Sequence, residues 1–128
     1  MKHLLLFLAV FSALCTQAQS DITAPVSESL KKGDAAGLSA YFMPQVDVSL
    51  PGASDTFTKE QARDLVAKFF TANPPKEFVM KHQGTSKLND QYRIGELSTS
   101  KGPYRVTFFI RKNGNALLIK QLKIEQGE

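Results

Sequence analysis

Apolar residues recur every three or four positions in the first half of the chain and every second position after residue 75, so the pattern predicts helices first and strands afterwards. Asp21 to Met43 reads as two helical pieces. Pro25 suits a first turn, and Lys31-Lys32-Gly33 brings cations and glycine to a helix C-terminus, where free carbonyls favour both. Asp34 can then cap a second helix by accepting from the amides of its first turn. Leu38, Tyr41 and Phe42 would share one face of that helix, and Pro44 would end it. Val46-Asp47-Val48-Ser49-Leu50 alternates strictly and predicts a half-buried strand with Val46, Val48 and Leu50 inward, broken by Pro51-Gly52. Thr58-Lys59-Glu60-Gln61 is a capping box. Ala62, Leu65, Val66 and Phe69 continue it at helical spacing until Asn73-Pro74-Pro75 stops the helix.

Four strands are predicted beyond that point, at Glu77–Thr85, Gln91–Thr99, Tyr104–Lys112 and Ala116–Ile124. Asn113-Gly114 is the strongest turn signal, because both residues tolerate the positive φ of a two-residue hairpin loop. Pairing Lys112 with Asn115 puts Ile110, Phe108, Val106 and Tyr104 opposite Leu117, Ile119, Gln121 and Lys123 on one face. A turn at Ser100-Lys101 adds Leu97 and Gly95 to that face and sets Glu96 against Arg105 on the other. A turn at Asn89-Asp90 adds Phe78, Met80, His82 and Gly84. The expectation is one concave apolar wall under a helical lid. This is an α+β arrangement, with N-terminal helices packed on a curved, mainly antiparallel sheet that ends in a four-strand meander. The opposite face is only half polar: Tyr92, Phe109, Leu118 and Leu122 stand among charges there, and a homodimer through these four is expected.

Ahead of these elements, Lys2 and His3 precede an apolar run from Leu4 to Leu14, and Thr16-Gln17-Ala18 offers a small-x-small cleavage site. Residues 1–18 therefore read as a secretory signal peptide and residues 19–128 as one exported domain, periplasmic or extracellular. Lipidation at Cys15 is the competing reading, but a lipobox needs a small residue where Leu14 stands. Cleavage after Ala18 removes Cys15, and with it disulfides and thiolate catalysis. An apolar run of about ten residues is too short to span a bilayer as a helix, and no transmembrane segment is expected. Residues 19–75 carry five basic and seven acidic side chains, and residues 76–128 carry ten and five. A solvated surface accounts for that modest basic excess. No aromatic stacking platform accompanies it, so nucleic acid is not an expected partner.

The order of helices, short strand, third helix and long meander resembles the nuclear transport factor 2-like, or cystatin-like, cone superfamily, which includes ketosteroid isomerase and the polyketide cyclases. Ser29-Leu30-Lys31-Lys32-Gly33-Asp34, then Leu38, Tyr41-Phe42 and Val46-Asp47-Val48, is similar to that superfamily's passage from helix pair to first strand. Lys81-His82-Gln83-Gly84-Thr85-Ser86, Tyr92 with Ile94-Gly95, Tyr104-Arg105-Val106 with Phe108-Phe109, and Gln121-Leu122 with Ile124-Glu125 resemble one narrow family within it. That family is domain of unknown function 4783, from secreted proteins of Bacteroidota. The resemblance implies a fold and an exported setting, and it carries no activity across.

A cone closed by helices implies an apolar cavity, whose expected walls are Tyr41, Phe69, Met80, His82, Gly95, Tyr104, Val106 and Gln121. Gly84 and Gly95 would face each other across neighbouring strands, leaving either room for a ligand or a bend in the sheet. His82 is the one histidine left after export, so acid–base chemistry would have to use it, with Tyr104 as hydrogen-bond donor. No carboxylate reaches that face to orient it, and a structural histidine is the alternative. An isomerase of the ketosteroid type needs an inward aspartate and a second, protonated acid, which the pattern does not supply. One histidine without cysteine makes no zinc site, and no phosphate loop or nucleophile elbow is present, so neither metal nor cofactor is expected. The leading expectation is a non-catalytic exported domain that binds a small apolar ligand in the cone or a protein on the outer sheet face. The alternatives are an isomerase- or cyclase-like enzyme using His82, and a structural dimerisation module.

Overall fold

The structure, a computed structural model, describes residues 21–127; the predicted leader, its cleavage site and Cys15 lie outside the described residues. Helix α1 (Thr23–Lys32) follows Asp21, whose carboxylate accepts from the Thr23 amide and hydroxyl at 2.9 and 2.6 Å. It ends at Gly33, which takes φ 66° so that its amide can reach the Leu30 carbonyl at 3.2 Å. Asp34 caps α2 (Ala35–Ser39) by accepting from the Gly37 amide at 2.9 Å. This helix is shorter than its pattern predicts, and Phe42 already opens strand β1 (Phe42–Leu50) with Pro44 inside it. A proline is tolerated there because the ladder to the last strand is interrupted between Phe42 and Asp47, so no hydrogen bond is lost.

Gly52, at φ 91°, then turns the chain into β2 (Ala53–Thr58), which pairs back on β1 from Leu50↔Ala53 to Gln45↔Thr58. Sequence pattern missed this strand, since its run is short and mostly small and polar, with Phe57 its one large apolar residue. Helix α3 (Lys59–Ala72) carries the capping box as expected: the Gln61 amide donates to the Thr58 hydroxyl at 3.2 Å, and the Thr58 amide donates to the Gln61 side chain at 3.1 Å. Its apolar stripe of Ala62, Val66, Phe69 and Phe70 is buried.

Strands β3 (Pro75–Thr85), β4 (Gln91–Thr99), β5 (Gly102–Asn113) and β6 (Ala116–Gln126) complete one sheet in the order β2-β1-β6-β5-β4-β3. Among the described residues only the β1–β6 contact is parallel. The helices lie on the concave face, where Val26, Leu30, Leu38, Val66, Leu97, Val106, Phe108 and Ile119 are each fully buried. No helix among the described residues is long and apolar enough to cross a membrane.

The β4–β5 register is the predicted one, with Glu96↔Arg105 and Leu97↔Tyr104. The neighbouring registers differ, and extra residues in the strands are the reason. In β6 the partner of Ile110 is Ile119, but the partner of Phe109 is Gln121, so Lys120 is an unpaired extra residue. That bulge exchanges the two faces beyond it. Gln121 therefore turns outward, while Leu122 and Ile124 are buried. The hairpin loop is Gly114-Asn115, one residue later than expected, and only Gly114 takes positive φ. In β3 the partner of Met80 is Gly95 and that of His82 is Ile94, so Lys81 is the extra residue and His82 leaves the wall. A further irregularity falls at Lys76, between Pro75 and Glu77.

Gly84 and Gly95 do not face each other. Each sits under an aromatic ring from the adjacent strand, Gly84 under Tyr92 on the outer face and Gly95 under Phe78 on the inner one. A Cβ at Gly95 would meet the Phe78 ring and the Val79 carbonyl, whereas at Gly84 it would meet the mobile far end of Tyr92. Gly95→Ala is thus expected to cost about 1–3 kcal/mol by overpacking. Gly84→Ala should cost under about 1 kcal/mol, because the tyrosine can swing aside. Urea denaturation of the two variants measures the difference, and equal costs would contradict this packing.

Candidate functional site

The concave wall is filled. Val106 is fully buried, Phe69 and Tyr104 are each 8% exposed, and Met80 and Tyr41 pack half-buried against the core. The Phe69 and Tyr104 rings meet edge to face at 5.0 Å between centroids. The Tyr104 hydroxyl donates to Asn73 Oδ1 at 2.9 Å, and Asn73 Nδ2 donates to the Phe69 carbonyl at 3.1 Å. This network pins the end of α3 to β5. Phe78 occupies the space above Gly95, and a shallow mouth of about 280 Å³ lies between Leu50, Ala53, Leu65, Phe69 and Tyr104. His82 and Gln121, expected in this wall, lie outside it for the bulge reasons given above. His82 is exposed and lines a groove of about 560 Å³ with Lys81, Ile94, Glu96, Arg105 and Glu125, and Tyr104 borders the same groove.

The outer face can be read row by row from the ladders. Tyr92 pairs with Phe109, which pairs with Gln121; Ile94 pairs with Thr107, which pairs with Lys123; Glu96 pairs with Arg105, which pairs with Glu125. Tyr92 and Phe109 rings lie 6.4 Å apart between centroids. Leu118 stands beside Arg111 at the other end of this face. Tyr92, Ile94, Phe109 and Leu118 are all half-buried, and the helices pack only against the opposite side. Leu122, the fourth residue expected on this surface, is fully buried in the core and cannot contribute. Ile94 takes its place, a residue with the same strand parity as Tyr92, which was the available signal.

Asp90 was also unforeseen. Its side chain is 3% exposed, covered by the two cations it binds. Arg111 grips it with Nε at 2.8 Å and a terminal nitrogen at 3.0 Å, and Lys120 Nζ lies 2.6 Å away. The Arg111 hydrogen bonds, with Lys120 beside them, hold the Asp90 carboxyl below the usual carboxylate range. On the inner side Arg93 is buried with every nitrogen engaged, donating to the Thr23 hydroxyl at 2.9 Å, the Tyr92 carbonyl at 3.0 Å and Gln91 Oε1 at 3.0 Å. It ties β4 to the start of α1. Among the described residues no three histidine, cysteine or carboxylate side chains converge.

The sequence profile of the domain of unknown function DUF4783 matches residues 23–125. The chain belongs to the DUF4783 family. A DUF4783 protein of Bacteroides ovatus is 32% identical and superposes with a TM-score of 0.76, over 82% of this chain and 94% of its own. One from Bacteroides uniformis is 29% identical at a TM-score of 0.78, over 84% and 99%. A candidate polyketide cyclase from Sinorhizobium meliloti, 16% identical at a TM-score of 0.62 over 83% and 94%, shares the fold alone. This chain thus has the nuclear transport factor 2-like, cystatin-type fold. A search of curated, functionally described proteins finds no match.

Asp90 makes the stability of this DUF4783 domain depend on pH with a definite sign. Its carboxyl titrates lower in the folded chain than in the unfolded one, so the unfolded chain takes up protons first as pH falls. The stabilisation is complete above about pH 4, the ordinary aspartate value, and is lost as pH drops through the folded value. Asp90→Asn is expected to cost about 1–2 kcal/mol at neutral pH, as a charge-assisted contact partly open to solvent. It should also flatten the acid limb of a plot of urea midpoint against pH. An unchanged acid limb would remove Asp90 from that role.

Proposed function

We infer that this DUF4783 domain is an exported, non-catalytic module that works by docking a protein on its outer sheet face. One observation carries the reading: the concave wall is packed shut, while Tyr92, Ile94, Phe109 and Leu118 lie half-buried together on the face opposite the helices. An antiparallel sheet with one solvated face ordinarily alternates apolar-in and polar-out, and these four positions break that rule together. The mouth of about 280 Å³ falls below the roughly 300–1,000 Å³ of typical ligand pockets, and the larger groove of about 560 Å³ is lined by Lys81, Glu96, Arg105 and Glu125, a poor match to an apolar ligand. The isomerase-like alternative needs His82 and the Tyr104 hydroxyl at one point. Both residues border the groove of about 560 Å³, but the imidazole belongs to an outward position of β3 and the tyrosine hydroxyl donates to Asn73 at the end of α3. Export rests on the leader pattern of residues 1–18.

A photoreactive benzoyl-phenylalanine at position 109 is expected to give protein adducts when the chain is irradiated in intact cells. The same group at position 68, on the rim of the mouth, should give none. Adducts from 68 alone, or from neither site, would overturn the docking reading.

A further inference from the structure

We propose that the outer sheet face docks a second copy of this chain about a two-fold axis lying between β4 and β5 and parallel to them. This rests on the docking reading above and names its partner. In a face-to-face pair of sheets the axis lies in the interface, so it keeps each row of side chains and exchanges the strands on either side of it. An axis between β4 and β5 therefore sets every β4 residue over the β5 residue that is its own ladder partner. Glu96 of one copy meets Arg105 of the other, and the reverse contact follows by symmetry. Tyr92 meets Phe109, and Ile94 meets Thr107, at the centre. At the far end Asp90 and Arg111, bonded within each chain, alternate with their images.

Charge complementarity argues for this partner. Glu96 of β4 and Arg105 of β5 at one end, and Asp90 of the β3–β4 loop and Arg111 of β5 at the other, are of opposite sign, with Tyr92, Phe109, Ile94 and Thr107 between them, so this two-strand strip is complementary to itself under this operation. A two-fold perpendicular to the strands would instead set Arg111 toward Arg105 and Asp90 toward Glu96, like against like. The edge strand β3 is ill suited to pairing with another chain by its open edge, because bulges at Lys76 and Lys81 interrupt it and put lysines there. Face-to-face association leaves that edge alone.

Sedimentation velocity from low to high micromolar protein tests the arrangement. Wild type is expected to reach a dimer, and Phe109→Glu to weaken it at least about 30-fold by burying a charge at the centre. Glu96→Arg and Arg105→Glu are each expected to weaken it about tenfold or more, since each places like charges together twice. The double swap Glu96→Arg with Arg105→Glu should restore the dimer, and mixing the two single variants should yield a one-to-one heterodimer. Mixing cannot repair a fold defect within either chain, so the heterodimer separates interface from stability. A wild type that stays monomeric overturns the second copy as partner and leaves the docking reading to the crosslinking result. A dimer indifferent to Phe109→Glu overturns both. A dimer that Phe109→Glu breaks but the swap does not restore keeps the face and overturns the axis.

Discussion

Strict alternation of side chains across the sheet, reset at a few single extra residues, decides what this protein can present to its surroundings. A strand places neighbours on opposite faces, and one unpaired residue exchanges the faces for everything beyond it. Lys81 does this in β3 and Lys120 in β6. The first turns His82 away from the helices. The second turns Gln121 outward and brings Leu122 and Ile124 into the core. A lysine suits such positions, since the residue left out of the ladder can send a long charged side chain to solvent or to a local partner. Lys120 finds Asp90.

With those resets the inner face closes. Phe78 fills the space that Gly95 vacates, Phe69 and Tyr104 pack edge to face, and Asn73 takes the tyrosine hydroxyl. Each of these contacts uses up volume or a polar group that a ligand would otherwise claim. The outer face receives the complementary treatment. Tyr92 lies over Gly84 with its ring tilted 52° to that of Phe109, so the centre of this surface is aromatic, with charged residues at either end. A filled interior and a half-apolar exterior both fit a cone used as a platform.

Two polar anchors hold that platform. Asp90 joins the β3–β4 loop to β5 and β6 through Arg111 and Lys120, and Arg93 joins β4 to the start of α1 through Thr23. Both sit in or beside β4, the strand that carries Tyr92 and Ile94. A buried arginine with every nitrogen engaged and a covered carboxylate with two cations would each be costly to disrupt, so they fix the register of the strand that bears the outer surface.

Local chemistry by itself determined much of this protein. The capping box of α3, the Asp34 cap, the glycine stop at Gly33, the four-strand meander and the Glu96–Arg105 register all follow from interactions within a few residues or across one tight turn. Residues of β4 and β5 therefore lie on the faces their pattern predicts, with Tyr92, Phe109 and Leu118 on the outer side. The slip in β6 was also legible, since apolar positions change phase between Ile119 and Leu122. Tertiary structure alone decided the rest. The short strand β2 exists because β1 offers it a ladder, Pro44 survives in a strand because no neighbour needs its amide, and His82 leaves the wall because β4 sets the register of β3. Asp90 and Arg93 are buried because partners up to 70 residues away in sequence reach them. Pattern reports the preference of a segment for a face; which face a residue finally occupies depends on the ladder its neighbours impose.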